Sequence, residues 1–156
     1  MERLWAPWRV KYVTNNNKDK ECVFCKKSQQ KKDRENLVIF RGQYCFSLLN
    51  IYPYNNGHIM VAPYRHIADI TCLKDQELLE MFKLIKESEI KIKSILSPDG
   101  FNIGINIGKA AGAGMEKHLH MHLVPRWGGD TNFMPVVSDT RVISQSLKEL
   151  YQLLKT

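Results

Sequence analysis

One stretch, Lys117–Trp127 (KHLHMHLVPRW), constrains the fold of this chain more than any other. Its histidines, His118, His120 and His122, alternate with apolar residues, and a period of two is the side-chain period of a β-strand. We therefore predict a strand with three imidazoles on one face and apolar residues packed into a core on the other. Imidazoles placed side by side favour metal binding, catalysis or both; the alternative is a half-buried strand that merely carries polar histidines.

Length, composition and charge limit the classes of protein to which the chain can belong. A chain of 156 residues fits one domain with a real core, and no run approaches the ~20 apolar residues of a membrane span. The segment Met1–Val13 carries charges and no long apolar run, so we expect no secretory signal and a cytoplasmic protein. The net charge of +7 favours an anionic partner such as a nucleotide, nucleic acid or an acidic surface, although lysine runs contribute much of it and are usually just solvated.

The segment Met1–Val13 is also aromatic and basic, with Trp5, Trp8 and Tyr12 among its residues. Pro7 excludes a continuous helix there. We expect an arm that packs on the domain or on a partner subunit, and the alternative is a stacking surface for a nucleotide base.

Apolar periodicity predicts the other elements. Short apolar runs on either side of Arg41-Gly42-Gln43 indicate a hairpin. An apolar stripe at helical spacing predicts a long helix and consists of Leu78, Met81, Phe82, Ile85, Ile92, Ile95 and Leu96. The predicted strands are Leu37–Phe40, Tyr44–Leu49, His58–Ala62 and Phe101–Ile107, and the predicted helices are Asp75–Leu96 and Arg141–Leu154, the second with Val142, Leu147, Leu150 and Leu154 on one side.

Cys22 and Cys25 form a CxxC motif, whose spacing lets two thiolates reach one metal ion. Redox pairs have the same spacing, so the motif alone leaves both interpretations open. A zinc site would need two further ligands, and histidine is the obvious donor because all five histidines of the chain follow residue 57. We expect metal ligands or free thiols rather than disulfides, a charged loop over Lys26–Asn36, and small buried apolar groups at the isolated Cys45 and Cys72.

A glycine-rich segment, Gly108–Glu116, directly precedes the histidines. It lacks the GK[ST] ending of a Walker loop, and it leads into a strand rather than into the helix of a dinucleotide-binding fingerprint. Its small residues permit close approach of the backbone to a ligand, with amides free to hold phosphate oxygens. We predict a phosphate-binding loop, and a plain flexible turn is the alternative.

Three segments carry a family resemblance. HLHMHLV has three histidines alternating with apolar residues, NIYPYNNGHIMVAPYRH lies upstream, and PRWGGD follows. Together, from Leu37 to Asp130, they resemble the histidine triad (HIT) superfamily, in particular its fragile-histidine-triad and bacterial diadenosine-polyphosphate branch. The resemblance implies an α+β fold: an antiparallel sheet with one long helix and a C-terminal helix, paired into a homodimer whose sheets adjoin. One domain would then comprise an N-terminal arm (1–20), a CxxC zinc segment and charged loop (21–36), the HIT core (37–130) and a C-terminal tail and helix (131–156).

The resemblance also implies roles for individual residues. His120 would be the nucleophile that attacks the α-phosphorus of a nucleotide through one ring nitrogen, while a backbone carbonyl on the same strand holds the proton of the other. His122 would contact the phosphates, and His58 would line the same pocket. The implied nucleotide-binding residues are Asn50, Asn106, Gly112, Ala113, Gly114, Met115 and His122. The family often has Ser or Thr close to Met115, and this chain has neither there, so no hydroxyl contact to phosphate is expected.

A structural zinc site is implied as well, with Cys22, Cys25, His66 and His118 as its ligands. A closed set of nitrogen and sulfur ligands is typical of a structural rather than a catalytic site, and here it would tie the N-terminal segment to the histidine strand. An iron ion in the same cage, or free thiols without metal, are the alternatives.

The implied substrate is a dinucleoside polyphosphate such as diadenosine tetraphosphate, with adenine as the expected base. Transfer of the nucleotidyl group to water would make the protein a hydrolase, and transfer to phosphate would make it a phosphorylase. The LWAPWR start and the PRWGGD segment favour the phosphorylase, with Arg126, Lys109 and Lys117 as candidate phosphate ligands. The alternatives are a phosphoramidase of the Hint-like branch, an aprataxin-like enzyme acting on adenylated nucleic acid, and a non-catalytic nucleotide-binding protein. Nucleic acid and membranes are not expected partners.

Overall fold

A computed structural model describes residues 21–131 and 142–156 of the chain. Within these residues, five strands form one sheet: β1 Val38–Arg41, β2 Cys45–Leu49, β3 Ile59–Pro63, β4 Gly100–Ile105 and β5 Met121–Arg126. Their order is β1-β2-β3-β5-β4, and every adjacent pair is antiparallel, which confirms the predicted type of sheet. The predicted N-terminal arm lies outside the described residues.

The described helices are α1 Val23–Gln29, α2 Asp33–Asn36, α3 Asp75–Leu96 and α4 Leu147–Lys155. The bounds of α3 are those predicted. The predicted start of the last helix at Arg141 is wrong, because α4 begins after Ser146, whose hydroxyl accepts a hydrogen bond from the Glu149 amide in a capping box. Val142 therefore lies outside the helix and is exposed. None of the described helices is long and apolar enough to span a membrane.

The segment Lys26–Asn36, predicted to be a charged loop, contains α2 and most of α1. The reason lies outside the segment. Arg41 in β1 donates from its guanidinium to the carbonyl oxygens of Ser28 and Gln30, both at 2.8 Å, and so satisfies the carboxyl end of α1. The same guanidinium pairs with Asp33 at the start of α2. A distant residue thus stabilises two helices that are too short to be stable alone.

Two clusters of buried side chains lie on opposite faces of the sheet, because side chains alternate along each strand. α3 and α4 cover one face and supply Met81, Leu84, Ile85, Ile92, Leu150 and Leu154 to the larger cluster. On the other face, Phe24 of α1 packs in a smaller cluster with Val38, Phe46, Leu48 and Ala62. α1 covers only part of this second face.

The predicted apolar stripe of α3 is partly wrong. Leu78 and Phe82 are 39% and 55% exposed, whereas Leu84 and Ser88 are buried. Glu77 is also buried, because it accepts two hydrogen bonds from the guanidinium of Arg65, in the loop after β3. The buried side of the helix therefore includes polar positions that a pattern of apolar residues does not reveal.

The two isolated cysteines differ. Cys45 is buried in the larger cluster, as predicted. The prediction for Cys72 is wrong: this residue ends a short 3-10 turn, Ile70–Cys72, on the surface and is exposed. Neither forms a disulfide.

The histidine stretch is a strand only in part. β5 begins at Met121, so His118 and His120 lie just before the strand instead of within it. The amide of Leu119 donates to the carbonyl of Ile67, beyond the end of β3, and this contact replaces a regular ladder there. Within β5 the predicted alternation is confirmed, with apolar residues in the larger cluster and the third histidine facing away from α3.

Candidate functional site

The face of the sheet opposite α3 carries the histidines. His122 in β5 pairs with Met60 of β3 on one side and with Gly104 of β4 on the other. Gly104 is exposed, and a Cβ atom built on it would meet no other atom of the described residues within 4 Å. His122 itself is 8% exposed. His58 directly precedes β3. We call this face of the sheet, between Gly104 and the imidazoles, the histidine groove.

The ring of His120 is held as one tautomer. Its Nδ1 lies 2.8 Å from the carbonyl oxygen of His118, and a carbonyl only accepts, so Nδ1 carries the proton. Burial lowers the pKa of His120, against the opposing effect of this hydrogen bond, so the ring is neutral at neutral pH. No residue in the described part of the chain hydrogen-bonds to Nε2, which therefore has an available lone pair.

His58 and His122 form a directional pair. The backbone amide of Tyr54 donates to Nδ1 of His58 at 3.0 Å, which leaves the proton of the neutral ring on Nε2. That Nε2 donates to Nδ1 of His122 at 2.9 Å, so the proton of His122 lies on its own Nε2. Burial, and then the neighbouring His122 and His120, lower the pKa of His58 to about 3. The donor direction is therefore fixed at neutral pH.

Aromatic rings enclose these imidazoles. Tyr54 contacts His58 and His122, with ring centroids 4.6 and 5.8 Å apart. Phe24 lies 4.8 Å from His120, and His120 meets His122 edge to face, also at 4.8 Å. These contacts cover ring faces of His120, which is buried.

The four predicted metal ligands come together beside the start of β5. Cys22 Sγ lies 3.2 Å from His118 Nδ1, Cys25 Sγ lies 3.2 Å from His66 Nδ1, and the two Nδ1 atoms are 3.2 Å apart. All four donor atoms lie within 4.8 Å of one another. A tetrahedral zinc ion, with Zn–S bonds of about 2.3 Å and Zn–N bonds of about 2.0–2.1 Å, requires donor separations of about 3.3–3.8 Å. The four donor atoms are therefore close enough together to hold one metal ion.

Neighbouring groups determine the orientation and the protonation of these donor atoms. His118 donates from Nε2 to the carbonyl oxygen of Pro63 at 2.9 Å, which leaves Nδ1 unprotonated and directed at the group. Burial, and then the Cys22 thiol, raise the pKa of Cys25 to about 11. Without a compensating positive charge this thiol stays protonated, so the arrangement favours a metal site over a reactive redox pair.

The chain also matches known proteins in sequence and fold. A model of the HIT domain family matches residues 31–129. The AP-4-A phosphorylase of Mycobacterium tuberculosis is 38% identical over 163 aligned positions, which cover 100% of this chain and 84% of that protein. The chain belongs to the HIT domain family.

Two further proteins resemble the chain, one over most of its length and one over more than half of it. A Zn-bound histidine triad family protein from Mycobacterium smegmatis superposes with a TM-score of 0.66 at 27% identity, covering 86% of this chain and 91% of that one. The asymmetrical bis(5'-nucleosyl)-tetraphosphatase of Schizosaccharomyces pombe is 30% identical over 93 residues, 60% of this chain and 50% of that protein. The predicted HIT-like α+β fold is thereby confirmed.

The glycine-rich loop of this HIT protein offers fewer amides than predicted. The amides of Gly112 and Ala113 donate to carbonyls of the turn itself, at 2.9 and 3.2 Å. Gly108 and Gly112 have φ angles of 76° and 83°, which favour glycine. Within the described residues, the amides of Gly114 and Met115 form no such bond, so these two remain to meet a phosphate.

The two predicted asparagines lie in different surroundings. The side chain of Asn50 is beside His58, with Nδ2 3.3 Å from Nδ1 of that ring, and its Oδ1 accepts from the Tyr52 amide. Asn50 thus supports the histidine pair. Asn106 directly follows β4 and continues the edge of the groove beyond Gly104.

Arg126 is occupied and unavailable as a phosphate ligand. Its guanidinium donates to Asp130 at 2.6 Å and to the side-chain oxygen of Asn102 at 2.8 Å. The other two candidates, Lys109 and Lys117, are exposed near the glycine-rich loop. The PRWGGD segment of this HIT protein therefore closes the end of β5, and the free cations lie at the opposite end.

A cleft of about 400 Å³ lies at the carboxyl end of β5, and its lining includes Asn55, Trp127 and Gly128 but no histidine. The histidine groove lies towards the other end of the strand. We place the functional site in the groove, because the oriented imidazoles converge there.

Two residues of the site were missed in the sequence. Tyr54 lies in the loop NIYPYNNG and covers the His58–His122 pair. Phe24 lies inside the CxxC motif. The sequence indicated its role only in that an apolar residue stands between two candidate metal ligands. Both act by packing on imidazoles that only the fold brings to them.

Proposed function

We propose that this HIT protein cleaves diadenosine polyphosphates by transferring a nucleotidyl group through His120. The observation that carries the proposal is a neutral, buried imidazole whose Nδ1 proton is held by a carbonyl while Nε2 keeps its lone pair, on the face of the sheet that also carries the exposed Gly104. The likeness over the whole chain to a protein named AP-4-A phosphorylase supports diadenosine tetraphosphate as the substrate and phosphate as the acceptor.

The reaction has two displacements at one phosphorus atom. Nε2 of His120 attacks the α-phosphorus, and the bond to the bridging oxygen breaks, so ATP leaves and AMP stays linked to the ring. The Nδ1–H···O=C bond to His118 stabilises the positive charge on the substituted ring. An oxygen of inorganic phosphate then attacks the same phosphorus, the P–N bond breaks, its electron pair returns to Nε2, and ADP leaves. With water instead, the product is AMP and a proton passes to solvent.

Other residues bind and orient the nucleotide. His122 carries its proton on Nε2 and donates to an oxygen of the polyphosphate, and the His58 donor holds it in that tautomer. The amides of Gly114 and Met115 and the side chain of Asn106 bind phosphate or ribose at the groove. Catalysis thus depends on positioned donors rather than on a mobile acid, as phosphoryl chemistry generally does.

One assay tests the activity and the acceptor. Purified protein is incubated with diadenosine tetraphosphate, with and without inorganic phosphate, and the nucleotides are separated. We expect ATP and ADP, formed only when phosphate is present. ATP and AMP without phosphate would identify a hydrolase of the same class. Tight AMP binding without turnover would refute the enzymatic proposal and indicate a nucleotide-binding protein.

We further propose that Cys22, Cys25, His66 and His118 hold a structural zinc ion, supported by their mutual distances and by the Zn-bound relative. A closed four-ligand ion contributes folding energy and leaves no coordination position for substrate. Its effect here would be to join α1 and the loop after β3 to the residues preceding β5.

A homodimer is the remaining proposal, and an apolar edge supports it. β4 is the last strand of the sheet, and its Ile103 is 48% exposed. On α3, Leu78 and Phe82 are exposed and share a side of the helix with Lys93. The ammonium of Lys93 lies 5.7 Å from the ring of Phe101 in β4, so this side of α3 faces β4. An unpaired strand with exposed apolar neighbours is a template for pairing with another chain. A second copy of this chain, joined β4 to β4, would extend the sheet.

A further inference from the structure

Phe24 lies between Cys22 and Cys25 in sequence and contacts two histidines of the triad. Its ring centroid is 5.1 Å from that of His118 and 4.8 Å from that of His120, with interplanar angles of 39° and 33°. Only 2% of its surface is exposed. One buried ring therefore touches both a member of the metal group and the imidazole proposed as the nucleophile.

The position of Phe24 depends on what anchors α1. Phe24 is in the first turn of this seven-residue helix, which begins with the hydrogen bond from the Lys26 amide to the Cys22 carbonyl. A helix of this length is not stable by its own hydrogen bonds. Arg41 holds the carboxyl end of α1. At the first turn, packing of Phe24 edge to face on Phe46, at 6.5 Å, is one anchor, and the cysteines that flank Phe24 are another.

His120 is held at three places around its ring. Nδ1 donates to the His118 carbonyl, one edge meets His122, and one face lies against Phe24. The hydrogen bond fixes a single atom, about which the ring plane can still tilt, and the contact with Phe24 limits this tilt. Since a displacement of about 1 Å between reacting atoms can cost about 10²-fold in rate, the tilt matters at Nε2.

We propose that Phe24 is a positioning residue that holds the ring plane of His120 and couples it to the state of the cysteine–histidine group. The inference rests on the proposed role of His120 and assigns Phe24 no contact with substrate. Loss of an ion from the group would release both cysteines, so that α1 could shift and move Phe24 away from the nucleophile. The nucleotide groove on the β4 side would be unchanged.

Kinetics of matched variants test the positioning role. Phe24→Leu keeps apolar bulk and removes the planar ring, and Val23→Ala alters the other residue between the cysteines, which packs against the same cluster. With diadenosine tetraphosphate we expect Phe24→Leu to lower kcat about tenfold or more and to leave KM within about twofold. Metal content should stay at the wild-type value, and Val23→Ala should keep its kcat. An unchanged kcat, or an effect on KM alone, would overturn the proposal.

Proton NMR of the His120 ring supplies a readout that needs no turnover. An aromatic ring in contact displaces the resonance of the imidazole Hε1, so we expect this resonance to differ between the wild type and Phe24→Leu. Chelation should move it in the wild type and much less in Phe24→Leu. Equal movement in both proteins would refute the coupling. A wild type that is inactive on the substrate would refute the proposed function, and the resonance would still decide the role of Phe24.

Discussion

His58 donates its one ring proton to His122, across 2.9 Å between Nε2 and Nδ1, and both rings are buried. The amide of Tyr54 occupies the other nitrogen of His58 as a donor, so the pair has one direction only. A second proton on His58 would lie on Nδ1 and point at the Tyr54 amide, itself a donor, and the ring is only 1% exposed to solvent. The fold therefore requires a neutral His58, in keeping with the lowering of its pKa from 6.5 to about 3.

This requirement makes stability depend on pH. The unfolded chain takes up a proton at His58 below about pH 6.5 and the native protein does so only near pH 3, so the free energy of unfolding falls as the pH drops through this interval. Urea unfolding of the wild type and His58→Gln near neutral pH and near pH 5 measures the effect. We expect the wild type to lose about 2 kcal/mol more than the variant. Metal release in acid affects both proteins, and an equal loss in the two would contradict the assignment.

Replacement of His120 separates chemistry from binding. His120→Ala removes the nucleophile and its oriented lone pair, so we expect turnover of diadenosine tetraphosphate to fall by about 10³-fold or more, while AMP affinity changes little. Glu87→Ala, at an exposed position on α3 and so on the opposite face of the sheet, is the control and should keep its activity. Rapid denaturation during turnover of labelled substrate should leave label on the wild-type protein only. Substantial activity in His120→Ala would exclude this residue as the nucleophile.

The metal proposal has a matched pair of cysteine variants. Cys22→Ser removes one of four donors, whereas Cys72→Ser alters an exposed thiol at the end of a surface turn. Elemental analysis should find about one zinc per chain in the wild type and Cys72→Ser and much less in Cys22→Ser. A chelator should lower the melting temperature of the wild type and of Cys72→Ser and have little effect on that of Cys22→Ser. Stoichiometric zinc in Cys22→Ser would refute the ligand set.

Features that depend on interactions between residues close in sequence could be predicted, and features that depend on residues far apart in sequence could not. The bounds of α3 and the alternation within β5 follow from local periodicity, and both are confirmed. The helices between Lys26 and Asn36 were missed, because their carbonyl partners come from Arg41 in a later strand.

The candidate site also combines features that the local sequence predicts with features that only the fold creates. A CxxC motif and a spaced histidine pattern are local signals, and the four residues that the resemblance combines do lie close together. Phe24 and Tyr54 lie against the imidazoles only because α1 and the loop after β2 fold over the same face of the sheet. The phosphate-binding loop stays a prediction; the sequence does not show which of its amides pair within the turn, as those of Gly112 and Ala113 do.

Because Glu77 is buried, its ion pair with Arg65 should contribute more to the free energy of unfolding than an exposed ion pair does. Glu77 receives two hydrogen bonds from Arg65, each 2.7 Å, and its side chain is 4% exposed, against 42% for the arginine. Arg65→Met keeps the apolar stem and leaves a buried carboxylate without its cation. We expect the free energy of unfolding to fall by about 2 kcal/mol, less than the roughly 3–5 kcal/mol of a fully buried pair because Arg65 is partly exposed.

The control for this change is the exposed pair of Lys93 and Glu89, whose side chains are 57% and 30% exposed. Lys93→Met should change the free energy of unfolding by less than about 0.5 kcal/mol. Urea denaturation at neutral pH measures both variants. Equal effects of the two substitutions would mean that burial of Glu77 adds nothing to its ion pair.

The proposed dimer makes β4 sensitive to charge. Ile103→Lys places an ammonium on the edge strand, and Phe82→Lys places one on the neighbouring flank of α3, so either should oppose pairing with a second copy. Light scattering coupled to gel filtration should give twice the chain mass for the wild type and about one chain mass for the variants. Leu153→Lys is the control, because Leu153 is exposed at 43% on α4, which packs towards the β1 side of the sheet. A wild-type monomer, or dimers of both edge variants, would place the interface elsewhere or exclude it.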